Sequence, residues 1–573
     1  MAAIAEARRP HSALLEFLAI ELAPREGRGL AVAHIAIGCA ITVAIAMVFR
    51  IPEPTYMAYI VFLISKDERK ATVTTGLGGQ LAVTLAVILN LGLMLIDLSE
   101  PALRLPAMVL STFVAMYTVR TFALGPITYL AGFVLVMLQS VVDDVPSPEA
   151  LTRVTLWMFV VLLVPIVITV VLNLLFGQSV VLLTQRTVRK VLREMEAALA
   201  ADAAHQHLAQ WREMVVSLLG KQPKDAADQR RPFISVTALK KLIDALVILE
   251  ALPETNAVEV RNELAQHARA CRTMLENKDG LPALTLSAER TPPVLAFEAA
   301  MAAFQRELVQ PGSAAPAQKH ERRLLAPDAF TNPAHWQFAL KTTLAVMVVY
   351  FIYTMLDWPG MRTSIVTCFF VALGSLGETV HKLTLRISGA LIGGLIAGLC
   401  IVYVLPHMTD IGQLCLLIAT VSAGAAWVAT SSELLSYAGL QIAFAFFLGI
   451  LQGYGPATDL TVLRDRVAGI VLGNVVMTIV FTVLWPESVV PRLQAALAQA
   501  RESISAVLKR SGDPVEARVH AAEALVRARH FNLVRRFELS MLPKHSRSAA
   551  EAPQVTEVER SAGEAFVATY DIT

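Results

Sequence analysis

Two copies of Arg-x-x-Gly-x-x-x-Gly occur in this sequence, as Arg386, Gly389 and Gly393 and again as Arg466, Gly469 and Gly473, each opening a long apolar run. Glycines four apart let two helix backbones approach closely. A guanidinium one turn earlier offers parallel N–H donors that match a carboxylate, so the chemistry on offer is anion recognition. Plain helix packing with interfacial anchoring is the competing reading of the same pattern. Arg464, Asp465 and Arg466 are contiguous, and a carboxylate between two cations suits an anion site better than a proton carrier. Glu433, in Ala-Thr-Ser-Ser-Glu-Leu-Leu-Ser-Tyr between two apolar runs, is the remaining acid placed to couple an ion gradient. Asn90, Asn173, Asn474, Gln139, Gln441 and Gln452 add uncharged polar groups inside apolar runs, where they glue helices or line a channel.

The elements that must hold these residues are set by composition. The chain has 573 residues, 55% hydrophobic and 17% charged, with a mean hydropathy of +0.56. That is too apolar for an ordinary soluble protein. A formal net charge of +2 gives no nucleic-acid signature. Cys39, Cys271, Cys368, Cys400 and Cys415 fall mostly in apolar runs and suggest neither a disulfide framework nor a zinc site. His205 and His207 are two apart on a helical stretch and so do not form a metal pair. No phosphate-binding Gly-rich loop ending in Lys-Ser or Lys-Thr occurs, and no catalytic triad or carboxylate pair stands out, so the residues describe a transporter without an enzyme site or a cofactor.

Apolar runs fall into two blocks. The first supplies spans near 30–49, 54–65, 71–96, 105–119, 121–142 and 154–177, the second near 337–356, 361–376, 384–405, 411–429, 434–454 and 467–485. The segments 54–65 and 361–376 are too short to cross untilted and read as half-membrane pieces. Lys66, Arg69 and Lys70, with Lys382 and Arg386 in the other block, mark cytoplasmic loops, whereas the acidic, proline-punctuated stretch from Val142 to Glu149 suits the periplasm. A constant offset aligns Gly76 with Gly389, Asp97 with Asp410, Gln139 with Gln452 and Arg153 with Arg466, which points to a duplication. The same offset sets Arg120 opposite Glu433. The fold is therefore read as all-α, two repeated bundles of about six transmembrane helices. The expected domains are a cytosolic segment 1–29, membrane halves 30–183 and 331–487, a cytosolic helical domain 184–330 between them, and a cytosolic region 488–573 of two helices and a disordered tail.

The second half carries Asp-Ala-Phe-Thr-Asn-Pro at 328–333, Asp-Trp-Pro-Gly at 357–360, Ala-Thr-Ser-Ser-Glu at 429–433, Arg-Asp-Arg at 464–466 and Leu-Trp-Pro-Glu-Ser at 484–488. In these motifs the chain resembles the fusaric acid resistance family of aromatic acid exporters. The resemblance implies a bacterial inner-membrane, multi-pass efflux protein for aromatic acids, drugs or other toxic amphiphiles. It also implies a periplasmic membrane-fusion adaptor and an outer-membrane channel as partners, and leaves assembly as a homo-oligomer open. By motif position Arg386, Glu433, Arg464, Asp465, Arg466 and Arg120 are the pathway or coupling residues. Two other readings use the same residues: a passive organic-anion channel, and a membrane scaffold that recruits cytosolic partners.

Overall fold

The computed structural model describes residues 21–23, 27–66, 68–96, 100–142, 144–145, 147–200, 204–221, 234–252, 258–277, 291–309, 324–372, 375–432, 434–455, 459–511, 513–541 and 555–570. Their secondary structure is helical. The first membrane half is α1 (Arg28–Val48), α2 (Pro54–Ile64), α3 (Arg69–Met94), α4 (Pro101–Thr121), α5 (Gly125–Ser140) and α6 (Pro148–Phe176). Then come α7 (Val180–Ala200), α8 (Ala204–Leu219), α9 (Val236–Ile248), α10 (Val258–Asn277) and α11 (Pro292–Val309). The second half is α12 (Pro333–Met355), α13 (Thr363–Val371), α14 (Leu376–Tyr403), α15 (Ile411–Ala429), α16 (Ser436–Ile450) and α17 (Leu460–Val483). The chain continues with α18 (Val490–Leu508), α19 (Pro514–Met541) and α20 (Val555–Thr569).

Local chemistry sets many of the boundaries. Asn332, Asp410 and Asp459 cap α12, α15 and α17 through side-chain oxygens that accept the first free backbone N–H groups. Ser375 caps α14, accepting from Glu378 N at 3.3 Å, the Ser-x-x-Glu arrangement of a capping box. Pro54, Pro101, Pro148 and Pro333 stand in first turns, where the missing N–H leaves no bond unmade.

Each half delivers six helices in the expected order, but their lengths divide them. Among the described residues eight helices are long and apolar enough to cross a membrane, namely α1, α3, α4, α6, α12, α14, α15 and α17. The second and fifth of each half are short. At 1.5 Å per residue the 16-residue α5 reaches about 24 Å and the 9-residue α13 about 14 Å, against roughly 30 Å of hydrocarbon. The stretches 121–142 and 434–454, read from sequence as full spans, thus yield α5 and α16, of 16 and 15 residues. Short helices can sit at membrane depth only when protein satisfies their ends. They do so here: α2, α13 and α16 are buried along almost their whole length, while the long helices carry the exposed Leu, Ile and Val side chains that lipid would solvate.

The two halves pack reciprocally. Helix α1 lies on α15 and α4 on α12, so the first helix of each half meets the fourth of the other. Likewise α2 meets α16 and α5 meets α13, second to fifth in both directions. That exchange is what a pseudo-two-fold relation between duplicated halves produces.

The residues separate into two compact units: 1–177 with 321–487, holding both membrane halves, and 178–320 with 488–573. In the second unit, Trp211 of α8, Phe297 and Phe304 of α11, Leu242 of α9, Leu525 of α19 and Phe566 of α20 share one core. The stretch read from sequence as a disordered tail contains α20, whose Val558, Ala562 and Phe566 face are buried. Its Gly563 packs against the backbone of Val247 and Ala251, and Glu559 pairs with the buried Arg212. That amphipathic spacing was hidden by the polar segment before it.

Candidate functional site

The four short helices put aromatic side chains where the membrane halves meet. Tyr59 of α2 lies 4.3 Å from Phe444 of α16 between ring centroids, and Phe133 of α5 lies 5.2 Å from Phe370 of α13. With Tyr56, Met137, Met158 and Val366 these rings line a cavity of about 240 Å³. The apolar wall suits the ring or chain of an amphiphile.

One end of that cavity is charged. Glu53 precedes α2, Arg362 precedes α13 and Arg466 lies in the second turn of α17, and all three line it. Arg362 forms an ion pair with Asp144, which follows α5, so a salt bridge joins the two halves beside the cavity. No carboxylate pairs with Arg466 among the described residues. Its backbone oxygen accepts a bond from Thr363 Oγ1 at 3.2 Å, which holds α17 against α13.

The structure separates the Arg-Asp-Arg triplet. Arg464 and Asp465 bond to each other at 2.8 Å, and the Arg464 guanidinium lies 5.4 Å from the Trp358 ring. A Cβ at Gly360 would stand 2.5 Å from the Asp465 carboxylate, so glycine is required for the Asp-Trp-Pro-Gly turn to pass beneath it. Arg464 and Asp465 thus clamp the turn between α12 and α13, and Arg466 alone of the three reaches the cavity.

Arg386 is fully buried in α14, roughly 15 Å from the start of that helix. Its Nε donates to Thr367 Oγ1 at 3.2 Å, and Nη1 donates to Tyr437 Oη and to Gln441 Oε1, both at 3.0 Å. The glycines after it admit this packing. A Cβ at Gly389 would lie 2.7 Å from Ala438 O, and one at Gly393 would collide with Ile442 O, so α14 rests directly on the α16 backbone. Gly469 and Gly473 let α17 approach in the same way, against Met361 O in the turn before α13 and Ser364 O within α13.

Arg120 is elsewhere. It donates to Glu487 Oε1 at 3.2 Å and to Ala334 O at 3.0 Å, and Lys341 joins the same carboxylate at 3.7 Å. Among the described residues the carboxylate partner of Arg120 is Glu487, of the Leu-Trp-Pro-Glu-Ser motif. Glu433 lies outside the described residues. Sequence reasoning passed over Arg362, Tyr59 and Phe370 and took Asp144 only as part of an acidic loop. The signal available for the first three was the shortness of 54–65 and 361–376, which marks segments that lipid cannot surround. No cluster of three or more potential metal ligands occurs among the described residues.

Residues 333–480 match a family model described as fusaric acid resistance protein-like. The chain is also similar to multidrug resistance protein MdtO of Escherichia coli K12, 27% identical over 546 residues, covering 89% of this chain and 77% of the relative. MdtO of Shigella flexneri is 26% identical over 531 residues with the same coverage. No solved structure matches. This multi-pass membrane protein therefore carries, across α12 to α17, a fusaric acid resistance protein-like domain.

Proposed function

We propose that this chain is a bacterial inner-membrane transporter that exports toxic amphiphiles, aromatic carboxylic acids and drugs among them. The observation that carries the reading is the aromatic cavity between the halves, with the Arg362–Asp144 pair beside its charged end. The acidic loop that supplies Asp144 is the one the charge pattern assigns to the periplasm, so the cavity would discharge outward. Similarity to proteins named for multidrug resistance supports the substrate class. Export onward through a periplasmic adaptor and an outer-membrane channel fits such a component.

With no phosphate loop in the sequence, an ion gradient is the source of energy we assign, with Glu433 as the proton-exchanging residue. A strain lacking the gene should gain susceptibility to amphiphilic drugs and aromatic acids. Wild type should restore resistance and Glu433→Gln should not. An unchanged deletion strain, or full rescue by Glu433→Gln, would refute the reading. A passive organic-anion channel is the second reading, favoured by Arg466 lining the cavity without a paired carboxylate. Bilayer currents that follow the anion gradient and ignore the proton gradient would select it.

A further inference from the structure

The hydrogen bonding around Arg386 is incomplete in a specific way. Among the described residues its buried Nη2 meets no acceptor, and the buried Gln441 Nε2 meets none. Both side chains are nearly or wholly inaccessible, Arg386 at 0% and Gln441 at 1%. The two spare donors belong to adjoining groups, because Arg386 Nη1 already holds Gln441 Oε1 at 3.0 Å. Among the described residues every hydrogen-bond partner of the guanidinium, Thr367, Tyr437 and Gln441, is neutral.

Lys382, one turn earlier on α14, is a second cation nearby, with Nζ 4.9 Å from the Tyr437 ring centroid. The one acid on α14, Glu378, stands one turn from Lys382, whose charge it offsets, and two turns from Arg386. A buried cation is tolerated only with a compensating charge or water, and unpaired buried donors call for an acceptor. One small anion answers both demands, since it accepts two N–H bonds and neutralises the guanidinium.

We propose that Arg386 Nη2 and Gln441 Nε2 form a binding site for a monovalent anion inside the membrane unit, with Lys382 adding to its positive potential. The ligand is a halide or the carboxylate of an organic acid. Its use in export rests on the transporter reading above, but the site itself does not.

The test uses the purified full-length protein at constant ionic strength in sodium sulfate, whose anion is divalent and lies outside the proposed ligand class, titrated with chloride or with benzoate while the thermal unfolding midpoint is followed. Wild type should show a saturable upward shift. Gln441→Glu keeps the acceptor for Nη1 and supplies an internal carboxylate, so it should lose the shift without losing stability in sulfate alone. Arg386→Lys keeps the charge but not the second donor and should weaken the response about tenfold or more; it decides the matter if the glutamate variant does not fold. A response to chloride alone identifies a small inorganic ion, a response to benzoate alone identifies an organic carboxylate, and equal responses identify a site that accepts either. No saturable shift in wild type, or undiminished shifts in the variants, would overturn the site. Drug resistance that survives loss of anion binding counts against the site's role alone, and anion binding without any resistance phenotype counts against the transporter reading alone.

Discussion

Tyr59 and Phe444 sit with ring centroids 4.3 Å apart and planes tilted by 40°, so an aromatic contact ties the second helix of one membrane half to the fifth helix of the other. Both rings are buried and both line the cavity. A double-mutant cycle of Tyr59→Leu and Phe444→Leu should return a coupling of about 1 kcal/mol beyond the separate losses. Thermal unfolding of the four proteins measures it. Additive losses would mean that the rings only fill space.

The Arg362–Asp144 pair joins the halves at the charged end of the cavity, with the arginine mostly buried and the aspartate partly open. Partial exposure limits its contribution to stability to roughly 1 kcal/mol. Its influence on transport should exceed that figure. Arg362→Asp and Asp144→Arg should each reduce drug resistance, and the combined swap should recover much of it. A swap no better than the worse single change would remove the pairing from the mechanism.

Glycines in α14 and α15 should respond oppositely to the same substitution. At Gly393 an added methyl meets the Ile442 carbonyl and the Ala445 side chain, whereas at Gly424 it meets nothing within 4 Å. Gly393→Ala should cost roughly 1–3 kcal/mol because two backbones must separate. Gly424→Ala should be neutral or stabilising, by up to about 1 kcal/mol, since alanine is the better helix former. Detergent unfolding of the two variants provides the comparison.

The second unit contains a titration of opposite sense to an ordinary ion pair. Asp244 is fully buried in α9 and accepts from Arg518 Nε at 3.1 Å, while its Oδ2 has no hydrogen-bond donor. Burial pushes its carboxyl up to about 6 from 3.8, and the nearby Arg518 and Lys241 only partly offset the rise. The folded form then holds a proton that the unfolded form releases between pH 3.8 and 6, so this group stabilises the fold at low pH. Stability should fall as pH rises through about 6, by an amount on the order of 3 kcal/mol. Asp244→Asn should flatten that limb of the unfolding profile, and an unchanged slope would assign it to other groups.

Much of the architecture was legible because lipid imposes a one-dimensional rule. A run such as Pro148 to Phe176 has to be a membrane helix wherever it packs, and local signals such as Asp459 before Leu460 or Ser375 before Glu378 set helix starts without tertiary help. The glycine repeats were legible for the same reason, since close backbone approach needs a missing Cβ. Partnership was not. Arg120 meets Glu487 across 367 positions of sequence, and Arg362 meets Asp144 from the other half. No local pattern distinguishes these residues from Arg464, which stays exposed near the start of α17.

The sequence by itself determined that this chain is an all-helical membrane protein with two apolar blocks and a polar helical segment between them, because hydropathy acts along the chain. Only the tertiary structure decided that the second and fifth helices of each half are short and buried, and that Tyr59, Phe370 and Phe444 face one cavity. It alone separated Arg466, at that cavity, from Arg464 and Asp465, and left Arg386 buried with a donor unspent. Burial and hydrogen-bond satisfaction depend on what the second half of the chain brings to the first, and no window of sequence contains both.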